Sequence, residues 1–328
     1  MIGVYPWHQD AWHKLQTAIA SERLPHGLLF VGHDGCAGFE LANHLARYLL
    51  CQSNEQDRPC NDCKSCHLLT SSTHPDFYCV EPLDGKKQIS IDQVRQLTTS
   101  IRETSALAGW RCAIIRGAEK MTVNGFNALL KTLEEPGNKT LLILTAADSS
   151  RIPATILSRC QVVDCGKVPE QLGIGWLQQQ KPGFELDDYQ AVMLLAGNSP
   201  LTALALLEKD AVREFGQLLE QLSSILLNAE VVSIADRSKL EPAELLQYWE
   251  ILVNSVIKYQ FGHNLALNAW HDALTGLAEN TQQQLLFKLR DSLLFQLKEL
   301  QQGITLNTAM QFDELTAQWR QCRSVVTS

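Results

Sequence analysis

The chain has 328 residues, of which 45% are hydrophobic and 20% charged, with a net charge of −8. That length holds two or three domains with real cores, and the acidic balance excludes a chain whose main task is gripping phosphate backbones over a broad basic surface. No apolar run approaches the roughly 20 residues of a bilayer span, and the opening MIGVYPWHQDAWHK lacks a basic stretch followed by an apolar one, so a cytoplasmic chain with no membrane partner is expected.

From residue 1 to 166, short apolar or β-branched runs alternate with helical patterns, the signature of a parallel sheet covered by helices. The predicted strands are Leu28–Val31, Phe77–Val80, Arg111–Ile115, Leu141–Thr145 and Gln161–Asp164. The first runs into VGHDGCAGFE at 31–40, a glycine-bearing turn before a helix, where a phosphate loop of pattern GxxxxGK[ST] belongs. Gly32 and Gly35 are present, but Gly38 stands at the lysine position and Phe39 at the hydroxyl position.

The next helix ends near Cys51, the first of four cysteines (Cys51, Cys60, Cys63 and Cys66) spaced C-x8-C-x2-C-x2-C. Thiolates this close call for a neutralising ion, and tetrahedral Zn²⁺ with four sulfurs at about 2.3 Å is a closed, structural arrangement. An iron–sulfur cluster is the rival, although Thr70 stands where a ferredoxin-like run would place its next cysteine. His67 is a possible substitute ligand, strained by adjacency to Cys66. Cys36, Cys79, Cys112, Cys165 and Cys322 read as small buried apolar residues. His74, before Pro75 and Asp76, has no sequence-local nucleophile and reads as part of a structural turn.

Ser90 to Gln93 has the form of a capping box, and Thr122 is placed to cap a second helix. Phe126, Leu129, Leu130 and Leu133 give that helix one apolar face, Lys131 is spaced to pair with Glu135, and Pro136 stops it. Glu134 and Glu135 suggest acid–base work only on a first reading, because they finish an amphipathic helix. After residue 166 the strands cease. Residues 167–208 read as a small helical unit with a turn at Gly197-Asn198-Ser199-Pro200, and 209–328 as helices. Leu285, Leu286, Leu289, Leu293, Leu294 and Leu297 form the clearest stripe, expected to be core. Trp7, Trp12, Trp249, Trp270 and Trp319 are expected to pack and not to stack on bases.

NALLKTLEEP at 127–136 and TILSRC at 155–160, with the cysteine cluster, Thr73-His74-Pro75-Asp76 and Tyr5-Pro6-Trp7, resemble the clamp-loader branch of the AAA+ proteins. The resemblance is densest over residues 5–165 and continues more loosely to Gly303-Ile304-Thr305-Leu306-Asn307. It implies an AAA+-like α/β domain with a zinc-binding insertion over 1–166, a small helical lid over 167–208 and an all-α collar over 209–328.

The resemblance also supplies a register. The acidic pair that holds Mg²⁺ in hydrolysing relatives falls on Arg116 and Gly117, and the phosphate-sensing polar residue falls near Ala146 and Ala147. The second-domain arginine falls on Leu201. The implied chain binds no ATP, is not itself an ATPase, and keeps Arg159 as a finger offered in trans to a neighbour's γ-phosphate. Its implied partners are other clamp-loader subunits (ATPase subunits of the gamma or tau type and a delta-type subunit), with the sliding clamp and primed DNA reached through the complex. Two readings compete. One is an ATP-hydrolysing motor with an unconventional loop. The other is a zinc-dependent nucleic-acid module, which the three acids against two bases of NEQDRPCNDCKSC disfavour.

Overall fold

The structure is a computed structural model, and it describes residues 3–53, 58–107, 109–227, 234, 240–263, 270–302 and 308–324. The element at 303–307 lies outside the described residues. The chain forms two compact units, one of residues 1–176 with 199–202 and the other of 177–198 with 203–328.

The first unit is built on α1 (Gln9–Ala20), β1 (Gly27–Val31), α2 (Gly38–Leu50), α3 (Lys64–Thr70), β2 (Phe77–Val80), α4 (Ile91–Ser100), β3 (Arg111–Ile115), α5 (Val123–Glu134), β4 (Thr140–Ala146), α6 (Ala154–Leu157) and β5 (Gln161–Asp164). All five expected strands are present. They form one parallel sheet in the order β2-β3-β4-β1-β5, the arrangement of an AAA+-like α/β domain. Strand side chains alternate between faces with period two. Ala113, Ile115, Leu142 and Leu144 therefore pack under α4 and α5, while Cys112, Ile114, Leu141 and Ile143 pack against α1 and α2. With both faces covered, β3 and β4 are buried along their whole length. Each large apolar side chain sealed this way contributes about 1.5–3 kcal/mol.

The start signals act as local chemistry predicts. Ser90 and Gln93 form the reciprocal capping box of α4, and the Thr122 hydroxyl accepts from the Gly125 amide at 3.1 Å to open α5. The expected Lys131–Glu135 ion pair is absent among the described residues. Of the cysteines expected to be buried, Cys36, Cys112, Cys165 and Cys322 are, but Cys79 is exposed. It lies on β2, the edge strand, which has a neighbour on one side only.

His74 has a partner that lies nine residues away. Its Nε2 is 2.8 Å from Ser65 Oγ, which donates to Leu50 O at 2.6 Å. Nδ1 accepts from the Asp76 amide at 3.1 Å, which fixes the hydrogen on Nε2. The serine proton is thus spent on a carbonyl and the imidazole has no free acceptor for it. This Ser–His–Asp juxtaposition is a turn-locking relay, not a nucleophile and its base. The Asp76 carboxylate accepts from Ser105 Oγ and from the amides of Ala106 and Leu107 at 2.9–3.0 Å, fastening that loop.

Further along lie α7 (Glu170–Gln180), α8 (Leu186–Leu195), α9 (Pro200–Glu208), α10 (Ala211–Leu227), α11 (Pro242–Gln260), α12 (His271–Glu279), α13 (Gln283–Gln302) and α14 (Thr308–Gln321). In the second unit Phe215, Leu222, Trp249, Leu252, Leu286 and Trp319 share one core, with Trp319 Nε1 donating to Leu222 O at 2.8 Å. Within the expected leucine stripe, Leu286, Leu289 and Leu293 are buried, whereas Leu294 is 45% exposed beside the exposed Phe295. One residue turns a helix by about 100°, so Leu294 has left the core-facing side. Among the described residues no single helix is long and apolar enough to cross a membrane.

Candidate functional site

Three constellations of the first unit carry chemistry: the loop after β1, the cysteine cluster and the segment before β5.

The loop after β1 turns through left-handed backbone at two positions. Gly35 has φ +88° and Ala37 has φ 64°, both left-handed. Ala37 occupies the second glycine position of GxxxxGK, where left-handed φ costs an alanine about 1–2 kcal/mol; its methyl is buried with Trp7, Cys36 and Val168. Gly32 is needed for close approach, since a Cβ there would lie 2.9 Å from the backbone of Cys165 and Gly166. Residues 199–202 press onto the loop. The Leu201 amide donates to Gly35 O at 3.1 Å, and a Cβ on Gly35 would meet Thr202 N at 3.0 Å and Ser199 Cβ at 3.1 Å. Trp7 Nε1 donates to Cys36 O at 2.9 Å, Tyr5 stacks on Trp7, and Trp176 meets Trp7 edge-on. Leu201, where the resemblance implied the second-domain arginine, joins this apolar cluster.

The cleft beyond the loop, lined also by Glu81, Glu119, Lys120 and Ala146, measures about 250 Å³, below the roughly 300–1,000 Å³ of sites that enclose a cofactor-sized ligand. Its own side chains pair with one another across it. The Arg116 guanidinium lies 4.5 Å above the Phe39 ring and pairs with Glu81 at 3.4 Å. Gly117 offers no carboxylate, and its amide donates to Thr145 Oγ1 at 3.1 Å. Ala146 and Ala147 line the wall without a side-chain donor. Cations number two (Arg116 and Lys120) against four carboxylates (Asp34, Glu40, Glu81 and Glu119).

The four cysteines converge. Cys51 caps the end of α2, Cys63 caps the start of α3, and Cys66 lies in its first turn. All four Sγ atoms lie within 4.8 Å of one another. Individual separations are 3.5 Å for Cys51–Cys60 and 4.0 Å for Cys51–Cys63 and Cys60–Cys66. Four ligands about 2.3 Å from a tetrahedral centre would stand about 3.8 Å apart, so the donor set fits such an ion. The amides of Cys60, Cys63 and Cys66 each donate to a cluster sulfur at 3.4 Å, which favours thiolates. Burial opposes ionisation of Cys63, but the amides of Cys66 and Gln52 and the neighbouring thiols outweigh it and lower its pKa to about 6. Burial and donation to Cys63 push Cys66 up to about 12. His67 is not part of the sulfur cluster.

Arg159 follows α6 and precedes β5. Gly27, the first residue of β1, sets its backbone, since a Cβ there would meet Arg159 O at 3.1 Å and Leu133 Cδ2 at 2.9 Å. Cys160 is buried, whereas the Arg159 side chain is 34% exposed. Its Nη2 lies 2.7 Å and its Nε 3.1 Å from Glu134 Oε1, and Nη1 donates to Thr155 O at 2.9 Å and Ser158 Oγ at 3.2 Å. A pair this exposed contributes about 0.2–1 kcal/mol. Sequence reading singled out Arg159 but not its partner, because a contact across 25 residues has no local signal.

Comparisons with known proteins bear on the family of the chain. The family model described as DNA polymerase III, delta subunit, matches residues 7–169. The chain is 32% identical over 324 residues to DNA polymerase III subunit delta' of Pseudomonas aeruginosa, covering 97% of this chain and 98% of that one. It is 32% identical over 245 residues to subunit delta' of Escherichia coli K12, covering 75% and 73%. Among solved structures, a DNA polymerase III gamma subunit-related protein of Thermotoga maritima aligns at 18% identity with a TM-score of 0.45, covering 94% of this chain and 99% of that one.

Proposed function

The chain belongs to the family of DNA polymerase III delta' subunits, and from that premise we propose that it is a non-hydrolysing, stator-like subunit of the clamp loader. In this reading it binds no ATP of its own. It lends Arg159 in trans to the ATP held by a neighbouring gamma- or tau-type subunit and assists loading of the sliding clamp on primed DNA. It works beside a delta-type subunit, in the cytoplasm. Residues 167–208 act as a lid and 209–328 as a collar, where exposed Phe261, Leu294 and Phe295 offer apolar surface to other subunits.

The observation that carries the reading is Arg116 stacked on Phe39 inside a cleft rich in carboxylates. Hydrolysis needs a lysine on the terminal phosphates and carboxylates on Mg²⁺. Here a cation stands at the metal's acid position, an aromatic ring at the hydroxyl position, and the net charge of the lining opposes a polyphosphate. The motor reading would need substitutes for all of these at once.

Arg159 is the complementary case. A guanidinium has permanent charge and a planar fork suited to phosphate oxygens, and this one is held at an exposed turn on a rigid strand start. The cysteine cluster is proposed to hold one structural Zn²⁺, tying the end of α2 to the start of α3. A closed four-sulfur set has no open position for chemistry.

The test is Arg159→Ala in the complex assembled with its natural partner subunits. DNA- and clamp-stimulated ATPase should fall by at least about tenfold, short of the roughly 10³-fold or more that a finger contact can supply, with assembly intact. Unchanged ATPase and clamp loading would reject the trans-acting role.

A further inference from the structure

We infer that Glu134 is the positioning residue for Arg159, bracing its guanidinium for the neighbour's phosphate; this rests on the trans-acting reading of Arg159. One carboxylate oxygen, Oε1, takes both Nε and Nη2 at 3.1 and 2.7 Å. It therefore grips the side edge of the guanidinium and leaves the outer Nη2 hydrogen, at the end of the fork, for a ligand. On the other flank Thr155 O and Ser158 Oγ hold Nη1. With a guanidinium's donors counted, one N–H of Nη2 stays uncommitted, and Nη1 need only exchange a backbone carbonyl and a hydroxyl for phosphate oxygens.

Glu134 is suited to this by where it sits, independently of the bond itself. It is the last residue of α5, and the residue before it is pinned twice. Leu133 packs against Gly27, and Leu133 O is 2.7 Å from His26 Nε2. Gly27 in turn touches the backbone of Arg159. Brace and finger therefore converge on the same first residue of β1, so their relative position is set by the sheet and not by two free side chains. A functional side chain held by a second, rigidly mounted partner pays less ordering entropy when it engages its target.

The inference predicts a non-additive cycle in the fully assembled complex. Glu134→Ala should lower the stimulated ATPase kcat about two- to five-fold, the size of a partly exposed ion pair's coupling, with KM for ATP nearly unchanged. Glu134→Gln, which keeps the shape and an acceptor oxygen, should lose less. In an Arg159→Ala background Glu134→Ala should cost nothing further. Urea midpoints of the isolated variants report folding, and Glu134→Gln carries the test if Glu134→Ala is destabilised. If Arg159→Ala is damaging but Glu134→Ala is silent, or equally damaging in both backgrounds, the brace is wrong while the finger stands. If Arg159→Ala is itself silent, the trans-acting reading fails and takes the brace with it.

Discussion

Buried titratable side chains show what single residues contribute to this unit. His8 is 2% exposed beside Trp7, and burial lowers its pKa from 6.5 to about 4, opposed weakly by the Cys165 backbone. A histidine held neutral in the fold and free to protonate when unfolded gives stability that is complete above pH 6.5 and lost as pH falls towards 4. Denaturant unfolding at pH 5 should therefore show this unit about 2 kcal/mol less stable than at pH 7. His8→Phe should flatten that difference; an unchanged slope in the variant would mean other groups carry it. Ala37 makes a different residue-scale point. It holds a glycine's conformation while its methyl is buried in the apolar cluster over the loop.

At the scale of elements, the cysteine cluster joins a helix end to a helix start, and three of its four thiols, those of Cys51, Cys63 and Cys66, belong to caps and a first turn. Metal binding there competes with protons. Elemental analysis of the purified chain should find about one zinc per chain, and Cys60→Ser should abolish it and raise amide exchange over α3. Acid should release the metal progressively. Freshly purified chain without metal would contradict the proposal.

The elements themselves were legible. Alternating apolar runs marked every strand, and the Ser90 box, the Thr122 cap and Pro136 bounded their helices, because these signals span only a few residues. The cysteine set was legible for the same reason. Contacts such as Ser65–His74, Arg116–Phe39 and Glu134–Arg159 were not, since they arise only once the sheet order brings distant loops together. Edge exposure of Cys79 likewise depends on which strand ends the sheet.

For the molecule as a whole, the proposed reading has one strand carry both a loop without nucleotide chemistry and the support of a finger offered to a neighbour. The strand β1 lies between β4 and β5. Its C-terminal end runs into the loop at 32–37, and its N-terminal end carries Gly27 under Arg159. In the proposed reading, a strand buried on both faces stays when the loop has no catalytic use, because the sheet that supports Arg159 would go with it, and the fold of a nucleotide site serves as a frame for a residue aimed elsewhere. Equilibrium binding of Mg-ATP to the isolated chain tests this most directly. No binding at millimolar ATP is the result the account predicts. Saturable submillimolar binding would contradict it and return the chain to the motor class.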